Sequence, residues 1–148
     1  GKVALYWKGH EPSDPAGRTV NTIWYGNENV DAYQHITNQV MKMKRKFVDK
    51  GYPVVIGEYG ANRKDASVYG GDQEKHDESM MAWYSVVTAE MMKAGLLPYV
   101  WDINVQPLPH MTLFDRKHHA VSDSYIFKGV MDGAAEGMEG YHEIYPKP

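Results

Sequence analysis

Gly51-Tyr52-Pro53-Val54-Val55-Ile56-Gly57-Glu58-Tyr59-Gly60-Ala61 opens on turn residues, runs through apolar residues without alternation, and reaches a carboxylate at residue 58. A short unbroken apolar run bounded by Gly and Pro fits a buried parallel strand better than a half-exposed hairpin strand. Glu58 then lies at the C-terminal end of that strand. Two readings of it stand: a strand-end glutamate facing solvent, or a carboxylate turned into a site, with Gly57 leaving room for backbone or ligand.

On either side the same unit recurs. Before it, Asp31 is placed to cap a helix reaching Asp49, with Ala32, Ile36, Val40, Met43 and Phe47 at helical spacing and Gly51 ending it. Upstream of that helix, residues 2–7 read as a strand ending in Tyr6 and Trp7, and Lys8 to Asn29 as a long loop with an extended segment over Val20 to Tyr25. Downstream, Glu58 to His76 reads as a second long loop. Asp77 is the expected cap of a helix carrying Met80, Tyr84, Val87 and Met91 and closed by Ala94-Gly95. Pro98 to Ile103 reads as a third strand, Asn104 to Ala120 as a third loop, and Ser122 to Met131 as a last helix. The glycines at 133, 137 and 140 suggest that 134–148 is a surface or frayed tail. The connections into strands are short and those out of strands long. That asymmetry is the mark of a (β/α) barrel, whose active site is built from the loops after the strands. Eight strands need about 250 residues; 148 residues supply three βα units. The fold expected is a partial TIM barrel made of residues 1–133, its open edges completed by another segment or chain.

Composition narrows the chemistry. There is no cysteine, so disulfides, thiolate metal sites and thiol catalysis are excluded. A net charge of −3, with Lys42-Met43-Lys44-Arg45-Lys46 as the longest basic run, argues against nucleic acid, and no 18-residue apolar run argues for a membrane span. Neither Gly-x-Gly-x-x-Gly nor a P-loop is present, so no nucleotide cofactor is expected. His110, His118 and His119 share one loop without His-Glu-x-x-His, and no Gly-x-Ser-x-Gly occurs; no metal and no serine nucleophile are expected. With 4 Trp and 11 Tyr against 3 Phe, amphipathic rings dominate, as where flat ligands bind in a wet cleft.

Three strand ends carry the candidate chemistry. Trp101 ends the third strand, either as a ligand platform or as a core tryptophan. Asp102, of opposite parity, is placed to brace a loop or an arginine, as is Asn104. One of Tyr6 and Trp7 should face inward, and a tyrosine hydroxyl on Glu58 would favour its ionised form.

The Gly51 to Ala61 segment resembles the seventh-strand region of family 5 glycoside hydrolases, the cellulase and mannanase family. Pro98-Tyr99-Val100-Trp101-Asp102, followed by Phe114-Asp115-Arg116, resembles that family's eighth-strand Trp-Asp element and the Asp-Arg after it. The resemblance spans Val3 to Met131 and implies the last three βα units of the barrel. It implies Glu58 as the nucleophile of a retaining endo-β-1,4-glycanase acting on glucan, xyloglucan or mannan. Tyr6 is implied as a hydrogen-bond donor to Glu58, and Trp101, Trp7, Tyr59 and Asn104 as substrate contacts. Asp102, Asp115 and Arg116 are implied as loop braces. The family's His-x-Tyr is broken here by Ala4, which leaves Leu5 and Trp7 as an alternative pair. Its general-acid Asn-Glu-Pro has no counterpart, Asn27-Glu28-Asn29 being misplaced in chain order. The partners implied are therefore a β-linked polysaccharide and the N-terminal part of the same barrel, in a secreted, periplasmic or cell-surface protein. A non-catalytic carbohydrate-binding barrel is the alternative.

Overall fold

A computed structural model describes residues 6–7, 32–69 and 71–147. The strand expected over 2–7 (apart from its last two residues), the loop over 8–29 and the cap Asp31 lie outside them. The described chain forms α1 (Ala32–Lys46), β1 (Val54–Tyr59), α2 (Gln73–Lys93), β2 (Leu96–Val100), β3 (Phe114–Asp115), β4 (Ala120–Val121) and α3 (Ser124–Ile144).

β1 and β2 pair in parallel with α2 as the crossover, Val54 opposite Leu96 and Ile56 opposite Pro98. Successive strand residues face opposite sides, and the two faces differ sharply. Val54 and Ile56 pack with Leu96 against Val40 and Met43 of α1, Val87 and Met91 of α2, and Ile144 of α3. On the other face Val55 is 58% and Tyr99 54% exposed. All three helices thus cover one side of a sheet whose other side is open, as in a section of barrel wall.

Several boundaries differ from expectation, each for a local reason. α1 gives way at Lys46 to a single 3₁₀ turn, Val48–Lys50, before Gly51 at φ 83° reverses the chain. The cap of α2 is Asp72, whose carboxylate accepts from Lys75 N, and not Asp77. Asp77 lies a turn inside the helix, buried, because Arg63 reaches it there. β2 begins at Leu96, two residues early. Pro98 is tolerated in its interior: Trp101 N–H points at β1, so alternation aims position 98 at the opposite edge, where no β1 acceptor waits. The third loop contains an antiparallel pair, Phe114 opposite Val121.

The largest correction concerns residues 134–148. α3 does not stop near Met131 but continues to Ile144. The glycines that weaken helix propensity are what let α3 lie directly on α2. A Cβ at Gly129 would stand 2.4 Å from Met81 O, at Gly133 2.3 Å from Ser85 O, and at Gly137 2.7 Å from Met92 Cβ. These residues recur at a spacing of four, so one stripe of bare backbone touches α2 along its length. Packing outweighs the roughly 1 kcal/mol per glycine lost in propensity.

Gly133→Ala should therefore destabilise the protein by about 2–3 kcal/mol through backbone overpacking. Gly140→Ala should cost clearly less, since its nearest neighbour is Lys93 Cα at 3.1 Å. Thermal melts of the two variants side by side check this, and the reverse ordering would discredit the close-contact account.

Candidate active site

The end of β1 breaks the alternation. Between the pairs Ile56–Pro98 and Tyr59–Val100, β1 advances three residues and β2 two. This is a β-bulge, and the extra residue resets which face each side chain takes. In an unbroken strand Glu58 would share the helix-covered face with Ile56. Instead Tyr59 turns under the helices and Glu58 is exposed on the open face.

Trp101 extends the ladder beyond β2 by donating its N–H to Tyr59 O at 2.8 Å. By alternation with Leu97 and Tyr99 its indole belongs to the open face, where it is 43% exposed. A carboxylate and a tryptophan thus end neighbouring strands on one surface.

Tyr59 is not a surface contact. Its ring packs near Trp83 and Tyr84, and its hydroxyl lies 2.5 Å from Thr88 Oγ1, with burial raising the phenol pKa. The bulge is the cause: it sends residue 59 to α2. Tyr6 is also elsewhere engaged. Its buried hydroxyl accepts from Asp72 N at 2.7 Å and lies 3.4 Å from Asp72 O, so the expected bond to Glu58 is replaced by one to the start of α2. An N-cap amide has no intrahelical acceptor, and the phenol fills that need. Trp7 is half-buried, and no hydrogen bond joins it to Glu58 among the described residues.

Asp102 organises the loop that follows. Oδ1 accepts from Asn104 N at 2.8 Å and faces Arg116 Nη1 at 3.5 Å; Oδ2 accepts from Leu113 N at 3.3 Å and Phe114 N at 3.2 Å. Asn104 takes a left-handed conformation, φ 56°, and is exposed. Asp115 accepts from Lys117 N and His118 N and lies 2.6 Å from His118 Nδ1, which holds its carboxyl below the usual carboxylate range.

Behind the open surface lies a buried network absent from the sequence reading. Arg63 donates to both oxygens of Asp77 at 2.7 Å and to Asp123 Oδ2 at 3.3 Å, and its guanidinium lies 5.1 Å from the Tyr125 ring. The bonds to Asp77, then the Asp123 charge, raise its pKa despite burial. The His110 ring spans Val105 O and Asp123 Oδ2 at 3.0 and 3.1 Å. Asp123 Oδ1 also caps α3 by accepting from Tyr125 N and Ile126 N. Tyr84 clamps the residue after the strand: its hydroxyl accepts from Ala61 N at 2.9 Å and donates to Ala61 O at 3.0 Å. No signal marked Arg63 beyond its place in a loop following a strand. No set of three metal-ligating side chains converges among the described residues.

A parallel strand pair covered by helices on one face, with a carboxylate and a tryptophan exposed at the C-terminal strand ends of the other, is a section of (β/α)-barrel wall. The comparisons agree. Residues 10–106 match the family model described as cellulase (glycosyl hydrolase family 5), and the chain belongs to glycosyl hydrolase family 5. It is 30% identical over 125 residues to endoglucanase A of Paenibacillus barcinonensis, covering 84% of this chain and 28% of that protein. Over 88 residues it is 33% identical to a xyloglucan-specific endo-β-1,4-glucanase of Bacteroides ovatus, covering 57% of this chain and 16% of that protein. Among solved structures it superposes on a xyloglucan-specific β-1,4-glucanase from a ruminal metagenomic library, in complex with XXLG. The TM-score is 0.75 at 28% identity, covering 93% of this chain and 34% of that one. The chain thus spans about a third or less of the relatives it matches, a segment of their TIM barrel.

Tyr84 supplies a pH-dependent test of the clamp. Burial pushes its phenol up to about 12 from 10.0. The folded state holds the proton more tightly, so this contribution is complete below pH 10 and is lost as pH rises toward 12. Alkaline titration should remove roughly 2–3 kcal/mol of stability across that window. Tyr84→Phe should flatten this loss while costing about 1–3 kcal/mol at neutral pH, because Ala61 loses both partners. Denaturant melts at pH 8 and pH 12 measure both, and an unchanged alkaline loss in the variant would disprove the assignment.

Proposed function

We propose that the protein is a retaining, endo-acting glycoside hydrolase of a β-1,4-linked polysaccharide, glucan, xyloglucan or mannan, and that Glu58 is its nucleophile. The observation that carries this is the bulge, which turns Glu58 onto the open face beside Trp101 at the C-terminal strand ends. The names of the relatives, an endoglucanase and two xyloglucan-specific glucanases, support the substrate class.

In this mechanism a Glu58 oxygen attacks the anomeric carbon while the bond to the leaving oxygen breaks, and a second carboxyl group gives that oxygen its proton. A glycosyl-enzyme results. The same second group then takes a proton from water, which attacks the anomeric carbon and releases Glu58. Trp101 offers the flat apolar surface on which the sugar at the scissile bond rests. The second carboxyl must lie about 5–5.5 Å from Glu58. Asp102 does not serve, since both its oxygens are engaged by its own loop.

We place that group on the remaining part of the barrel, which also covers the apolar face of Val55, Leu97 and Tyr99. Exposed patches of this kind mark contact surfaces. Activity then depends on both parts, as one chain or two. A polymeric substrate outside the cell makes the protein a secreted or surface enzyme.

The test uses the complete barrel on a soluble β-glucan. Glu58→Gln should lower kcat/KM on the order of 10³-fold or more, and a 2-deoxy-2-fluoro glycoside should leave a glycosyl adduct on the Glu58 peptide by mass spectrometry. Near-normal turnover in the variant would refute the nucleophile. A complete wild-type barrel that binds glucan without cleaving it would make the protein a carbohydrate-binding barrel instead.

A further inference from the structure

Two buried histidines, His76 on α2 and His110 in the loop after β2, take no part in the hydrolytic mechanism. Their partners are opposite in kind. His76 Nε2 lies 2.9 Å from Lys64 N, an amide that can only donate, so this nitrogen is a bare lone pair and the ring is neutral. His110 meets acceptors at both ends: Nδ1 faces Val105 O at 3.0 Å and Nε2 faces Asp123 Oδ2 at 3.1 Å. A carbonyl has no proton to give. Asp123 Oδ2 also takes Arg63 Nη1, and a carboxylate paired with a guanidinium supplies none either.

We propose that His110 is a positioning residue that works as an imidazolium, donating from both ring nitrogens and so tying the loop after Trp101 to the start of α3. Its functional part rests on the Glu58–Trp101 reading of the site. The charges agree with it. Among the described residues, the charged groups joined to His110 are Asp123 of α3, Arg63 from the loop after β1 and, through Arg63, Asp77 of α2. Asp102, in the same loop as His110, is engaged by the amides of Asn104, Leu113 and Phe114. With a neutral ring the buried group would set two carboxylates against one guanidinium. The imidazolium makes it even, and an uncompensated buried charge is costly. Backbone bonds run both ways between His110 and Arg63, at 2.8 and 3.0 Å. The ring therefore stands where the loop following Glu58 meets the loop following Trp101. Val105 O, which His110 Nδ1 faces, also accepts from Thr112 Oγ1 at 2.7 Å, and Val105 N donates to that hydroxyl at 2.8 Å. Loss of the second ring proton would set a nitrogen lone pair against an oxygen lone pair, at Val105 or at Asp123. Val105 follows Trp101 by four residues, so its release reaches the end of β2.

The test uses the complete barrel with isotope-labelled histidine. At neutral pH, long-range proton–nitrogen correlation spectra should show both His110 nitrogens protonated and His76 with one bare nitrogen. On alkaline titration the Val105 and Trp101 amide signals should move as His110 loses its second proton. These spectra need no ligand, so a failure of the Glu58 reading does not touch them. Cellohexaose affinity is then measured by calorimetry in Glu58→Gln, which keeps the ligand intact. It should fall roughly three- to tenfold across that same titration, the scale of one lost hydrogen bond. Adding His110→Gln, whose amide can donate from one position alone, should weaken binding to the same degree at neutral pH and remove the step. A bare His110 nitrogen at neutral pH would overturn the proposal, as would amide signals and affinity indifferent to its titration. Glycan binding without hydrolysis by the wild-type barrel would count against Glu58 alone.

Discussion

One additional residue in β1 decides which way the strand-end carboxylate of this segment faces. A parallel strand can present alternate side chains to the helices and to the barrel interior, and the sequence Val54 to Tyr59 must do both while ending with a carboxylate inward. The step of three against two between Ile56 and Tyr59 resolves the conflict. It turns Glu58 toward the open face and drives Tyr59 into the aromatic cluster beneath α2. Site and core are set by the same irregularity, so neither can move without the other.

The bulge would be idle were the chain beyond it free to wander. Ala61 is held by Tyr84, and Arg63 by Asp77 and Asp123. Backbone bonds in both directions between Arg63 and His110 join the loop after β1 to the loop after β2. No buried side-chain polar atom among the described residues lacks a partner, which is what a costly buried ionic cluster requires in order to be tolerated. The loops over the site are therefore anchored to the N-terminal ends of both α2 and α3.

Apolar periodicity made α1 and α2 legible, because burial on one face dominates their energetics; β1 was legible as an unbroken apolar run, although its Val55 is exposed on the open face. The placement of Glu58 and Trp101 at neighbouring strand ends followed from chain order and the long loops after strands. What escaped was decided by tertiary contact. Gly57 inside a strand was the one local hint of a bulge, and without it Tyr59 is assigned to the wrong face. The glycines of α3 read as helix-breaking until α2 is placed 2.3 Å from where a side chain would start. Tyr6 and Asp77 were each given a plausible neighbour in sequence terms, yet long-range partners, the Asp72 amide and the Arg63 fork, claimed them. Arg63 itself stands in no motif; only the fold gives it two carboxylates.

Asp123 concentrates several duties in one side chain: it starts α3, neutralises Arg63 and receives His110. Residues bound into one such knot do not contribute separately, and the effects of changing them do not sum. Replacing Arg63 takes the shared cation from both Asp77 and Asp123, whereas replacing Asp123 takes one partner each from Arg63 and His110 and uncaps α3. Single substitutions at these positions will consequently misreport their worth, and any engineered or natural remodelling of the loops above the cleft has to exchange the group as a set.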